Sequence, residues 1–105
     1  MIEIATRGKM ELELILEREL TSHRPVAGTI TDVQLHQRDD DGKWYINVRV
    51  SWRGSTPYHV ALYDKKRIRL YSKVSSAIRH VVTAYRYSLV IGVNPSPLWN
   101  DPSRF

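Results

Sequence analysis

From Trp44 to Trp52 an apolar residue stands at every second position. Trp44, Ile46, Val48, Val50 and Trp52 share one parity, and Tyr45, Asn47, Arg49 and Ser51 the other. Side chains alternate between the two faces of a strand, so this run describes a strand with one dry face and one wet face. Asp39-Asp40-Asp41-Gly42 precedes it, a strong turn signal. Before that turn the chain alternates again, with Thr29, Thr31, Val33 and Leu35 opposite Ile30, Asp32, Gln34 and His36. Thr29 to Trp52 therefore reads as a β-hairpin.

The rest of the chain is arranged around that hairpin. Arg53-Gly54-Ser55-Thr56-Pro57 is the next turn. Tyr58 to Tyr63 reads as a third strand and Arg67 to Tyr71 as a fourth, across a tight Asp64-Lys65-Lys66 connection. A helix is expected from Ser72, whose hydroxyl can cap the first turn. Val74, Ala77, Ile78, Val81, Val82 and Tyr85 then form one apolar stripe at helical spacing. Ser88 to Val93 is nearly all apolar and reads as a final strand buried on both sides, ended by Asn94-Pro95. Two readings stand for Met10 to Leu20. Leu12, Ile15 and Leu16 have helical spacing, while Leu12, Leu14 and Leu16 alternate with Glu11, Glu13 and Glu17. A first hairpin of residues 2–5 and 10–17 accounts for both Ile2/Ile4 and the second pattern.

The expected architecture is α+β: a mostly antiparallel β-meander of about 4–6 strands with one amphipathic C-terminal helix on its apolar face. Residues 1–93 form one domain, and residues 94–105 a Pro-rich tail. Pro95, Pro97 and Pro102 exclude helix and central strand there, and Leu98, Trp99 and Phe105 are apolar anchors for a surface or a partner. At 105 residues the chain is long enough for one core without staples.

Charge is unevenly spread. Residues 1–42 hold five basic and nine acidic residues, net −4; residues 43–105 hold eleven basic and two acidic, net +9, giving +5 for the whole. A basic half raises the expectation of a polyanionic partner. There is no cysteine, so disulfides, thiolate metal sites and cysteine nucleophiles are excluded. No apolar run approaches the ~20 residues of a membrane span, and the N-terminal residues lack the pattern of a secretory signal. A cytoplasmic protein with no membrane role is expected.

Catalytic signals are weak. His23, His36, His59 and His80 are scattered, without metal-ligand spacing, and Asp39 to Asp41 lack the alternation of a calcium loop. No glycine-rich phosphate loop or nucleophile elbow is present. The expectation is a non-enzyme with no cofactor and no metal.

The alternation does offer a surface. If Ile68 and Leu70 point inward with the hairpin's apolar face, then Tyr45, Arg49, Tyr63, Arg67, Arg69 and Tyr71 share the open face, with Lys65, Lys66 and Lys73 at its edge. Aromatic rings stack on bases and Arg and Lys follow phosphates, so this set points to binding of DNA or RNA. Arg79, His80 and Thr83 on the helix carry donors able to reach base edges, but one helix alone makes no helix-turn-helix. The alternative is a protein-interaction module, a homo-oligomer or a partner-docking domain, that uses an edge strand or Leu98, Trp99 and Phe105.

Overall fold

The computed structural model describes residues 13–62 and 67–104. Ile2, Ile4, Tyr63, Lys65, Lys66 and Phe105, all used in the sequence reading, lie outside the described residues. In chain order the elements are β1 (Leu14–Leu16), α1 (Glu17–Leu20), β2 (Ile30–Gln37), β3 (Trp44–Val50), β4 (Tyr58–Ala61), α2 (Val74–Thr83), β5 (Ile91–Asn94) and a 3-10 turn (Pro102–Arg104). The class is α+β, with one five-stranded sheet in the order β1-β4-β3-β2-β5.

The hairpin forms as its alternation requires. β2 and β3 pair antiparallel, with Val33 opposite Val48, Leu35 opposite Ile46 and His36 opposite Tyr45. The register slips between Ile30 and Asp32. That bulge turns Ile30 back onto the apolar face, where it is buried, although simple alternation assigns it to the other face. Trp44, Ile46, Val48 and Val50 bury against Ala77, Val81 and Tyr85 of the helix side, together with Ile15, Leu20 and Val60.

The sheet is not the antiparallel meander expected. Its centre is antiparallel, but both edges are parallel: β1 beside β4 and β5 beside β2. Parallel neighbours need a long crossover. α2 supplies it for β5, carrying the chain back across the sheet. β1 is a strand and α1 a helix within the stretch open to two readings. Each reading thus holds for part of it: residues 14–16 extend and residues 17–20 coil.

The expected fourth strand is also different. Arg67 to Tyr71 makes only two isolated bridges, Ile68 to Ala61 and Tyr71 to Trp44. Leu62 N–H donates to the Arg67 carbonyl and Arg69 N–H to that of Val60, and Trp44 and Tyr71 exchange both backbone bonds. β3 and β4 pair only at Asn47/His59 and Val48/Tyr58. The segment therefore fills the wedge where these two strands diverge.

α2 begins one residue later than a Ser72 cap requires. Lys73 holds the N-cap position and gives no side-chain bond. β5 is an edge strand rather than a strand buried on both sides, with Val93 exposed and Leu89 and Val90 exposed just before it. Beyond β5 the chain folds back on the hairpin end. Ser96 is buried, its N–H donating to Gln37 Oε1 and its hydroxyl to Asp39 Oδ1. Trp99 lies over Gly42, where a Cβ would come within 2.3 Å of the indole.

Candidate nucleic-acid interface

Facing is decided by ladder partners, since residues directly paired across strands point the same way. Trp44 is core, so its bridge partner Tyr71 lies on the helix side. Asn47 and His59 are partners and lie on the face opposite the core, with Tyr45 and His36. Neither helix covers that face.

On this open face three rings stack across three adjacent strands. His36 and Tyr45 have centroids 5.4 Å apart with planes 24° from parallel. Tyr45 and His59 stand 5.2 Å apart at 10°. Burial lowers the His36 pKa below its usual value and raises that of the Tyr45 hydroxyl. His59 is lowered too, first by burial and then by the neighbouring His36 charge. The ladder is therefore uncharged at neutral pH. Beside it, Asn47 Oδ1 and His59 Nδ1 are buried with no hydrogen-bond partner among the described residues. Such groups cost about 1–3 kcal/mol each when left unsatisfied. At one end Arg49 donates to the Ser55 carbonyl at 2.5 Å and lies 3.9 Å from Asp32.

The surface expected from sequence thus divides. Tyr45 and Arg49 stand together on the open face. Arg69 and Tyr71 stand on the covered face, because Ile68 bridges Ala61, which shares the strand face of His59, and this reverses the parity of the segment. By the same parity Arg67 belongs to the covered side. Lys73 is exposed at the start of α2. Of the tail residues, Leu98 is exposed, while Trp99 is engaged with the hairpin turn.

Arg69 and Tyr71 join a different cluster. Arg69 Nε donates to Tyr71 Oη at 2.6 Å, with the guanidinium 5.1 Å from the ring centroid. Glu17 Oε1 accepts from the Tyr85 hydroxyl at 3.2 Å and lies 3.4 Å from Arg69 Nε. Glu17 Oε2 lies 3.1 Å from His80 Nε2. Burial first, then the Glu17 charge, pushes the Tyr85 hydroxyl far above its ordinary range. A second clamp lies nearby: Arg53 donates twice to Glu19 at 2.9 and 2.7 Å, and Trp52 Nε1 donates to the same carboxylate at 2.6 Å. Arg53 above all holds that carboxyl below its usual range.

The sequence reading gives neither His36 nor His59 a role. The signal for His36 is present in the chain: the turn sets Gln37 against Trp44 and hence His36 against Tyr45. Glu17, His80 and Tyr85 come together only through tertiary packing, and no local spacing announces them. Among the described residues no group of three or more His, Asp or Glu is placed to hold a metal ion, and no helix is long and apolar enough to cross a membrane. Comparison with known protein families, curated proteins and solved structures finds no match.

Proposed function

We propose that this protein binds single-stranded nucleic acid on the open sheet face and acts by binding alone. The observation that carries this reading is the His36–Tyr45–His59 ladder: three rings stacked in a row on a face that neither helix covers. Unstacked bases stack on such rings at roughly 1–3 kcal/mol each. Arg49 adds an exposed cation at the rim. The net +9 of residues 43–105 favours approach of a polyanion.

Fluorescence anisotropy with labelled single-stranded and duplex oligonucleotides at two salt concentrations tests this. Single strands are expected to bind more tightly, and Tyr45→Ala to cost about 1–3 kcal/mol, or roughly 5- to 150-fold in affinity. Arg69→Ala, on the covered face, is expected to leave affinity nearly unchanged. No binding at low salt, or equal binding by Tyr45→Ala, would remove the ladder from the function.

A second reading rests on β5. Leu89, Val90, Val93 and Leu98 are exposed around an edge strand with backbone groups suited to pairing. That surface fits a second copy of the chain. A monomeric mass in solution at high concentration would set it aside.

A further inference from the structure

Two open clefts meet where the chain leaves α2. The larger, about 440 Å³, is lined by Thr21, Ser22, Arg24 and Arg86. The smaller, about 260 Å³, shares Arg24 and Arg86 and adds Thr29 and Ser88. No Asp or Glu lines either one. The larger cleft lies within the range of roughly 300–1,000 Å³ that small ligands occupy.

The two arginines are not equivalent. Arg24 is tied into the fold. Its Nε donates to the Leu20 carbonyl at 3.0 Å and its Nη2 to the Tyr85 carbonyl at 2.6 Å. It thereby answers the carbonyl ends of both helices, where partial negative charge gathers. A guanidinium carries five N–H donors, so Arg24 has donors to spare. Arg86 is not tied in this way. It is exposed and makes no hydrogen bond or ion pair with any described residue. Its backbone is left-handed, at φ +55. Glycine holds that conformation without strain, and a side chain with a Cβ does not. The chain thus keeps a long cationic side chain at a position whose backbone favours none.

We infer that the junction of these clefts binds the phosphate group of a phosphate monoester. A guanidinium offers phosphate oxygens a charge and paired N–H donors. Both arginines line both clefts, and Ser22 lines the larger cleft, its hydroxyl 3.0 Å from His23 Nδ1, and Ser88 the smaller. The site lies beside the carbonyl ends of α1 and α2, whose partial negative charge Arg24 offsets, so the uncompensated positive charge there is that of Arg86. It is independent of the ring ladder.

Titration calorimetry with inorganic phosphate, adenosine monophosphate and unphosphorylated adenosine tests the site in the full chain. Phosphate and the monophosphate are expected to bind, and adenosine not to. Arg86→Gly separates binding from folding, because it removes the guanidinium and relieves the backbone. Its Tm is expected to be equal or higher while affinity falls about tenfold or more, a step worth ~1.4 kcal/mol. Arg79→Ala removes the same charge from the exposed face of α2 and is expected to keep binding, as is Tyr45→Ala. In the Tyr45→Ala protein, which lacks the ladder's central ring, an oligonucleotide with and without a 5′-phosphate identifies the source of the group. A gain in affinity from the 5′-phosphate that exceeds the affinity for the monophosphate assigns the site to a nucleic-acid end, and equal affinity for the monophosphate assigns it to a free small molecule. No binding of any phosphorylated probe, undiminished binding by Arg86→Gly, or an equal loss in Arg79→Ala would overturn the inference.

Discussion

The two faces of this sheet hold similar side chains and settle them differently. On the covered face Glu17, Arg69, Tyr71, His80 and Tyr85 are tied to one another, each by at least one hydrogen bond or ion pair. These contacts join α1, α2 and the segment after β4. On the open face His36, Tyr45 and His59 touch as rings, while Asn47 Oδ1 and His59 Nδ1 bond to no described residue. Buried polar groups that bond to each other fasten a fold. Buried polar groups left unsatisfied beside stacked rings cost stability instead. The contrast assigns stability to the covered face and leaves the open face as the one proposed for recognition.

The strongest way to break this division is to truncate a tyrosine on each face. Tyr85 is fully buried, so Tyr85→Ala is expected to cost about 3–5 kcal/mol in urea unfolding. Tyr45 is half-buried and packs chiefly through its two ring contacts, so Tyr45→Ala is expected to cost only about 1–2 kcal/mol. Oligonucleotide binding should show the reverse order, measured on protein that remains folded. Equal stability losses would mean that the ladder is core, and the division would fail.

The hairpin end offers a sharper version. Gly42 has φ +71, and Trp99 occupies the space a Cβ would take. Gly42→Ala is therefore expected to cost about 1–3 kcal/mol and to expose Trp99, read as a red shift in tryptophan emission. The ladder begins only at His36 and Tyr45, across the hairpin, and stacks through strand pairing rather than through the tail. Binding should then survive the loss of this contact. Loss of binding along with it would make the tail part of the recognition face.

These regions also differ in how legible they are. The β2–β3 hairpin and the α2 stripe are written locally: alternating apolar residues, an Asp-rich turn and a 3.6-residue period leave little choice. The facing of Arg67 to Tyr71 is not local. It depends on which residue bridges Ala61, and a slip of one position moves every side chain to the other face. The same limit applies to Ile30, whose position is set by a bulge. The parallel edges depend on a helix crossing the whole sheet, and an apolar run such as Leu89 to Val93 does not record whether one neighbour or two will cover it. The open face is half legible for this reason: Tyr45 and Arg49 belong to the hairpin, and Arg69 and Tyr71 do not.

The smallest expected effect separates the faces by pH. His36 and His59 have pKa values held below their usual range by burial. The unfolded chain therefore binds more protons than the folded one, and stability falls as pH drops below about 6.5. Tyr85 and Tyr71 are raised by burial, so they favour the folded state up to their unfolded pKa, and that contribution is lost as pH rises above about 10. Acid weakness below about pH 6.5 thus belongs to the ladder histidines of the open face, while alkaline weakness comes from Tyr71 and Tyr85 on the covered face with Tyr45 adding to it from the open one. Replacing both ladder histidines by Gln is expected to flatten Tm between neutral pH and about pH 5, and Tyr85→Phe to flatten the alkaline limb alone. If Tyr85→Phe changed the acid limb instead, the faces would be coupled through the sheet and the separation of fastening from recognition would not hold.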